Sequence, residues 1–337
     1  MPRLLAIVLA VATAMTACSL VTPPSSREPA ASPSSLATAI EGSGPASPTI
    51  GASPALAVVR ASTLPARLPT GLSRAVAILA GDRIDIYGGF TSAGSTTGEI
   101  LEFDPATDHV GAVGELALRV HDAAGVTLGG AATIFGGGRA APTSVVQQVD
   151  ADGVARVIGN LPTARADLSA VAVGTSAIII GGGAAGVAAP RILATDDGVH
   201  FRVVATLVVP VRYAAVAEVG GRIYVIGGVG AAGETSDIQR IDLTTGKVEV
   251  IGRMPNAISH AAAMVIGGRL FVVGGRRAGT AQDAIWQVDA GSGTTQLVAR
   301  LPQPVSDFAL TVVGGVGYVI GGETDTQITS IVSIVVS

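Results

Sequence analysis

The side chains in this sequence that could do chemistry recur at a regular interval. Starting at Arg74, a side chain that can carry charge or share a proton returns every 45 to 48 residues. Only 14% of the residues are charged, so composition alone does not explain the recurrence. If the fold brings these positions together, they would form a polar funnel for a sugar, a peptide or an ion. The six positions are Arg74, Asp122, Asp167, Tyr213, His260 and Asp307.

Two other interpretations of these positions stay open at this point. Their side chains could hydrogen-bond neighbouring segments or channel water, as buried polar groups must. Three carboxylates and an imidazole could also bind a divalent cation, because such ions take mainly oxygen ligands. We predict ligand binding here, with neither a metal ion nor a cofactor.

Motifs of known catalytic sites are absent from the sequence. It has no His-Glu-x-x-His pair, no phosphate loop and no serine in a Gly-x-Ser-x-Gly context. The four histidines are well separated, and Cys18 is the only cysteine. No catalytic residue is therefore assigned, and a non-catalytic protein is expected rather than an enzyme.

The segments that would position these side chains belong to a repeat. Each candidate position is followed after 14 residues by a pair of adjacent glycines, and a turn signal lies seven residues before each pair. A Leu or Met lies twenty residues before each pair, with Pro directly after it in four of the six units. Five units also place an Asp 14 to 16 residues after the pair. The pairs begin at Gly88, Gly136, Gly181, Gly227, Gly274 and Gly321.

The length of this repeat and the residues inside it predict a β-propeller. A period of about 46 residues falls in the range of propeller blades. Residues 167–173 and 177–182 are short runs of Val, Ile and Ala bounded by glycine, which indicates buried strands rather than helices. Residues 236–242 alternate in polarity, as a half-exposed strand does. The fold class predicted is all-β: a six-bladed propeller of four-stranded antiparallel blades over residues 55–337.

The two ends of the chain are predicted to meet in the sixth blade. After Gly321 only residues 328–337 remain, enough for a third strand but not for a fourth. Residues 55–63, which read ALAVVRAST, look like a strand with no other partner. We expect them to pair with the last blade, because this closes the ring and covers an open sheet edge.

These markers resemble those of the Kelch-repeat family of β-propellers, whose blades carry a double glycine at the end of the second strand. The most similar copy, residues 161–183, reads LPTARADLSAVAVGTSAIIIGGG, and the resemblance extends over about residues 55–337. The family's Tyr before the turn Asp and its Trp in the fourth strand are missing here. The chain therefore resembles a divergent Kelch propeller, and the resemblance carries over no subfamily function.

Two kinds of enzyme have a related fold, but the resemblance does not imply that this chain shares their activities. Galactose oxidase has a similar central domain, but its copper site needs a Cys cross-linked to a Tyr. The only cysteine here, Cys18, precedes the predicted propeller. Sialic-acid mutarotases of the bacterial envelope are also Kelch propellers, and no motif in this sequence points to their activity.

The predicted propeller also places further polar residues beside the six candidates. Equivalent positions at the start of the innermost strands would surround the mouth of the central channel. The loops after the glycine pairs would open on the same face. They carry the further candidate ligand-binding residues Arg139, Glu234 and Arg276, together with Arg277, Glu323 and Asp325.

The N-terminal residues predict export and a lipid anchor. Residues 1–18 contain Arg3, an apolar run and then small residues, the form of a secretory signal. They end in MTAC, which resembles a bacterial lipobox with Cys18 as the lipidated residue; cleavage near Ala14 or Ala17 is the alternative. Residues 19–54, rich in Ser, Pro, Ala and Gly, are predicted to be a disordered linker. The expected location is the bacterial cell envelope, or the medium if Cys18 is not lipidated.

Three functions fit these observations. The first is a tethered, non-catalytic module that binds a protein or carbohydrate ligand. The second is an envelope enzyme acting on a carbohydrate, such as a mutarotase-like enzyme at the funnel, and the third is a structural scaffold of the cell wall. The net charge of −4 without a basic patch argues against nucleic-acid binding. Contact with the membrane is expected through the lipid anchor alone.

Overall fold

A computed structural model describes residues 56–337 of the chain. Within that range every regular element is a β-strand, and none of these residues forms a helix that could cross a membrane. The signal peptide (1–18), the lipidation site Cys18 and the linker (19–54) lie outside the described residues. Their assignments stay predictions from the sequence.

The strands form six antiparallel blades, as predicted. Blades 1 to 3 take their strands in order from the first part of the chain after β1 (Val59–Arg67). Blade 1 contains β2 (Leu72–Ser73), β3 (Val76–Ala80), β4 (Arg83–Thr91), β5 (Thr96–Asp104) and β6 (His109–Glu115). Blade 2 contains β7 (Ala124–Leu128), β8 (Ala131–Phe135), β9 (Val145–Val149) and β10 (Ala155–Asn160). Blade 3 contains β11 (Ala166–Val173), β12 (Ser176–Ala184), β13 (Val187–Ala188), β14 (Arg191–Thr195) and β15 (Arg202–Thr206).

Blades 4 and 5 each add a small hairpin after the second strand, and blade 6 takes its fourth strand from the start of the described chain. Blade 4 contains β16 (Ala215–Val219), β17 (Arg222–Ile226), β18 (Val229–Gly230), β19 (Gly233–Glu234), β20 (Asp237–Asp242) and β21 (Lys247–Arg253). Blade 5 contains β22 (Ala262–Ile266), β23 (Arg269–Val273), β24 (Arg276–Arg277), β25 (Thr280–Ala281), β26 (Ala284–Val288) and β27 (Thr295–Arg300). Blade 6 contains β28 (Ala309–Val313), β29 (Val316–Ile320), β30 (Ser330–Val336) and β1 (Val59–Arg67).

The glycine pairs join each blade to the next. In blade 4, both Gly227 and Gly228 have positive φ, at 64° and 99°, a conformation that glycine adopts at little cost. The N–H of Gly228 donates to the carbonyl of Ile258 in blade 5, at 2.8 Å. A Cβ atom on Gly227 would collide with that carbonyl. Glycine is therefore required here both by the backbone angle and by the approach of the next blade.

The predicted closure of the ring is confirmed. Strand β1 pairs antiparallel with β30, with Val59 opposite Val336 and Thr63 opposite Val332. Ala57 and Val59 are buried in the core shared by blades 5 and 6. The first and last described segments are thus held in one sheet, and blade 6 has four strands like the others.

One junction between blades is more open than its equivalents. Three residues before their glycine pairs, blades 4 and 5 carry Tyr224 and Phe271, which fill the space against the next blade. Blade 1 has Asp85 at this position and faces Ala132 of blade 2, and a cleft of about 590 Å³ remains between them. Burial raises the pKa of Asp85, and the Tyr87 hydroxyl donates to its carboxylate at 3.0 Å. This cleft contains none of the six candidate positions.

Candidate functional site

The six candidate positions from the repeat lie together at one mouth of the central channel. All six line a single cavity of about 120 Å³, with small neighbours such as Ala75, Ala123 and Ala214 between them. We refer to the six residues as the mouth ring. Its members are Arg74, Asp122, Asp167, Tyr213, His260 and Asp307.

The backbone of the mouth ring forms a closed circle of hydrogen bonds. Each member has a left-handed backbone, with φ between 53° and 62°. Each donates its N–H to the carbonyl of the member in the preceding blade, at 2.7 to 3.1 Å, and Arg74 completes the circle by donating to Asp307. The ring therefore links all six blades through the main chain, whatever its side chains do.

This backbone explains part of the pattern in the sequence. Among residues other than glycine, Asn, Asp and His adopt the left-handed region most readily. Three Asp and one His at these positions therefore fit the backbone. Arg74 and Tyr213 do not have this preference, and their conformation costs on the order of 1 kcal/mol each. Their side chains are thus the members that the backbone alone does not account for.

A second tier of polar side chains lies directly before the ring in the chain. The residue preceding each ring member is polar in five of the six blades, and Ala166 is the exception. This signal was present in the sequence but was not part of the predicted site. The five residues are Ser73, His121, Arg212, Ser259 and Ser306.

Ion pairs join blades 1, 2, 5 and 6 at the mouth. Arg74 Nε lies 3.0 Å from Glu323, and Arg74 Nη1 lies 3.5 Å from Asp122. On the other side of Glu323, Arg276 Nη2 lies 3.2 Å from that carboxylate and 3.3 Å from Asp307. Two guanidinium groups thus bridge three carboxyl groups in one partly buried network.

The other half of the mouth combines an ion pair with an aromatic stack. Arg212 Nη1 lies 2.8 Å from the Asp167 carboxylate. The phenol of Tyr213 stacks on the imidazole of His260, with centroids 3.8 Å apart and planes inclined by 23°. The Ser259 hydroxyl lies 2.8 Å from Glu234 and 2.7 Å from Nδ1 of His260. The Arg212 guanidinium also lies over the Tyr213 ring, 5.3 Å from its centroid, so this side of the mouth combines an aromatic pair with a cation.

Burial changes the protonation of the ring. It raises the pKa of Asp122 to about 8, against the opposing effect of Arg74 and with added repulsion from Asp167. Burial also raises the pKa of Asp307 to about 6, although a hydrogen bond from Ser306 opposes the shift. Burial, together with the charge of Arg276, lowers the pKa of His260 to about 4. At neutral pH, Asp122 therefore keeps its proton and His260 is neutral.

Asp122 has the fewest close partners of the ring carboxyls. Its side chain is only 10% exposed. Its nearest basic neighbours among residues 56–337 are Arg74 Nη1, at 3.5 Å, and His121 Nε2, at 3.7 Å. A buried carboxyl group without a short hydrogen bond is costly. A ligand that offers a donor at the mouth would supply the missing bond.

The candidate loop residues differ in their relation to the mouth. Arg276 contacts the ring directly, and Glu234 reaches it through Ser259. Arg139 is exposed, and its guanidinium makes no ion pair with any described carboxylate. Arg277 and Asp325 are also exposed and do not line the ring cavity. Glu323, by contrast, is buried at the centre of the ion-pair network.

The polar groups of the mouth are held in fixed positions by their contacts with one another. Most charged groups of the mouth are paired with one another, and the neutral His260 is stacked and bonded through Ser259. No group of described His, Cys, Asp or Glu side chains is placed to hold a metal ion. What the mouth offers a ligand is a fixed set of donors, acceptors and one aromatic surface.

The contact between Asp167 and Arg212 predicts the effect of a substitution. In Asp167→Ala, Arg212 would lose its carboxylate partner, and its Nε already lacks one. Alanine also tolerates the left-handed backbone poorly. We expect the free energy of unfolding to fall by about 1–3 kcal/mol, measured by urea denaturation at pH 7. Asp167→Asn, which suits this backbone, should lose less, and an unchanged stability of the alanine variant would show that the ion pair is not structural.

Comparison with known proteins gives one match. Residues 210–255 match a family model described as the Kelch motif. The match covers blade 4 from just before Tyr213 to just after Met254, including the pair Gly227 and Gly228. Among curated proteins, none matches the chain significantly.

Proposed function

Because the chain is a Kelch-repeat β-propeller whose mouth ring surrounds a polar cavity, we propose that it is a non-catalytic binding module that receives its ligand at this mouth. Kelch propellers commonly serve as protein-binding modules, and a propeller supplies a rigid face for the purpose. The N-terminal sequence supports a location at the bacterial cell envelope, with a lipid on Cys18 as the anchor. The partner is a protein or a glycan, reached through the mouth face.

The observation that carries this proposal is the convergence of Arg74 and Tyr213 on one cavity despite their backbone cost. A ring needed only for its main-chain hydrogen bonds would be built more cheaply from Gly, Asn or Asp. Strained residues that persist at a concave surface are typical of ligand sites. The underbonded Asp122 in the same cavity favours a ligand group that donates hydrogen bonds, such as an ammonium or a hydroxyl group.

Replacing Tyr213 tests the proposal with little disturbance of the fold. Tyr213→Asn removes the aromatic surface but keeps a residue that accepts the left-handed backbone. We expect ligands selected on the immobilised full chain, from a random peptide display library and from a glycan array, to bind this variant about tenfold more weakly or worse. The melting temperature should change little. Binding is measured by surface plasmon resonance.

Arg60→Ala is the matched control, because Arg60 is exposed on β1, the outermost strand of blade 6, and lies outside the cavity. It should bind as the wild type does. Equal binding by Tyr213→Asn and wild type would exclude the mouth as the site. If neither peptides nor glycans are captured at all, the mouth ring is structural and the scaffold role is the better explanation.

A further inference from the structure

A second polar cavity, of about 190 Å³, lies beside the mouth in blade 5 and shares no residue with the mouth ring. Its walls come from three places: the segment that leads from blade 4 into blade 5, the hairpin of β24 and β25, and the outer strands β26 and β27. The polar and aromatic residues that line it are Asn256, Arg277, Gln282, Trp286 and Arg300.

The hairpin of β24 and β25 sends two neighbouring arginines to two different sites. Successive side chains of a strand point to opposite faces. Arg276 accordingly reaches Asp307 and Glu323 at the mouth, whereas Arg277 lines the second cavity. Ala278 and Gly279, both with positive φ, form the tight turn that fixes this arrangement. The two cavities are thus adjacent but chemically separate.

Arg277 is available to a ligand. Its side chain is exposed, and it forms no ion pair with any carboxylate of residues 56–337. The second guanidinium, that of Arg300, lies 2.5 Å from Asp283, so its charge is already compensated. The cavity therefore carries one uncompensated positive charge in a form that can bind a carboxylate through two parallel hydrogen bonds.

Trp286 supplies an aromatic wall to the same cavity. It is the only tryptophan of the chain, and it is partly buried against the core between blades 4 and 5. A fixed, partly exposed indole offers a large flat surface at little conformational cost. The exposed Asn256 also lines the cavity, and its carboxamide can both donate and accept hydrogen bonds.

We propose that this cavity binds an acidic monosaccharide unit, a hexuronate, independently of the ligand at the mouth ring. The carboxylate of the sugar pairs with Arg277, and the apolar face of its pyranose ring stacks on Trp286. Asn256 and the outer face of Arg300 receive hydroxyl groups. A single uncompensated charge matches one carboxylate rather than a phosphate dianion, and the flat indole matches a ring rather than an extended chain.

The single tryptophan allows a direct test. Sodium glucuronate and galacturonate are titrated into the full chain while the emission of Trp286 is followed, with excitation that avoids tyrosine. We expect a saturable change for at least one uronate, and about tenfold weaker binding of glucose and galactose. In Arg277→Ala the uronate affinity should fall about tenfold or more, with an unchanged circular dichroism spectrum, because Arg277 has no ion-pair partner to lose. Arg277→Lys keeps the positive charge but cannot form two parallel hydrogen bonds to the carboxylate, so its uronate affinity should lie between those of the wild type and Arg277→Ala.

Other outcomes overturn the proposal. No saturable change with either uronate up to roughly 0.1 M, a range beyond useful affinity, would exclude the site. Equal binding of neutral sugars, or full binding by Arg277→Ala, would exclude the carboxylate contact. If N-acetyl-aspartate amide binds and the uronates do not, the cavity docks an acidic peptide instead. Tyr213→Asn should leave the uronate titration unchanged, so this proposal and the one for the mouth ring fail separately.

Discussion

A chain that begins at Leu68 is expected to lose its cooperative fold, because it lacks the strand that completes blade 6. Among the strands of residues 56–337, β1 alone pairs with the outer edge of β30. Its loss removes Ala57 and Val59 from one core and Ala66 from another. Burial of an aliphatic side chain the size of Val contributes about 1.5–3 kcal/mol. Together with the lost ladder of hydrogen bonds, this approaches the whole stability of a typical domain, about 5–15 kcal/mol.

The matched control is a chain that begins at residue 56 and keeps every described residue. It should melt in one cooperative transition by circular dichroism, whereas the chain that begins at Leu68 should show a broad transition or aggregate through the open edge of β30. Cooperative melting of the shorter chain within a few degrees of the control would contradict the assigned role of β1.

A disulfide tests the same closure without deleting anything. Ser62 and Ser333 face each other in the register of β1 and β30. The pair Ser62→Cys and Ser333→Cys would join the ends of nearly the whole propeller. In the chain-entropy account, closing so long a loop stabilises by up to about 4–5 kcal/mol. The pair Ser62→Cys and Val335→Cys, two residues out of register, should form its bond poorly and give no such gain.

The architecture was predictable because each blade repeats the same physical solution. The glycine pairs mark places where the backbone angle and the close approach of the next blade both require glycine. They therefore recur in all six blades while the residues around them differ. The closing strand was predictable because the sixth blade lacked a fourth strand in the sequence and the N-terminal strand lacked a partner. The position of the mouth ring followed from the same period, since equivalent positions of blades meet around the axis.

Other features depend on contacts that a period does not encode. The left-handed circle of hydrogen bonds has no single sequence signal, since Arg74 and Tyr213 do not favour that backbone. Glu323 lies at the centre of the ion-pair network because two arginines of other blades, Arg74 and Arg276, contact its carboxylate. The cavity at Trp286 exists because a two-residue hairpin turns Arg277 toward it. Such sites belong to one blade and break the repeat.

The contribution of Asp122 to the stability of the protein is expected to fall as the pH rises from about 4 to about 9. Its pKa is about 8 in the folded state and 3.8 ordinarily. Below pH 3.8 both states hold the proton and Asp122 costs nothing. Between the two values the unfolded chain releases the proton while the folded protein retains it, so stability declines with pH. Above pH 8 the full cost is reached, because a buried carboxylate is then present in the fold.

The size of this effect follows from the shift. One pKa unit corresponds to about 1.4 kcal/mol, so the range from pH 6.5 to pH 9 should cost roughly 2 kcal/mol, and the whole range up to roughly 6 kcal/mol. The interval above pH 7 isolates Asp122, because Asp307, with a pKa of about 6, has then titrated, and His260, with a pKa of about 4 in the fold and 6.5 ordinarily, is then neutral in both states. Urea denaturation at several pH values measures the slope.

Asp122→Asn separates this account from one in which Asp122 is a stabilising ionised partner of Arg74. Asparagine has the shape of the protonated carboxyl, accepts the left-handed backbone and cannot ionise. The variant should therefore be more stable than the wild type by about 1–2 kcal/mol at pH 5 and by several kcal/mol at pH 9, with a flat profile above pH 7. If it is instead destabilised equally at both pH values, the ion pair with Arg74 outweighs the burial of the charge. A ligand that brings an ammonium group to the mouth would give ionised Asp122 a closer partner than Arg74, which lies 3.5 Å away. The free energy that the buried carboxylate costs the fold is therefore also the reason why the mouth would bind a donor.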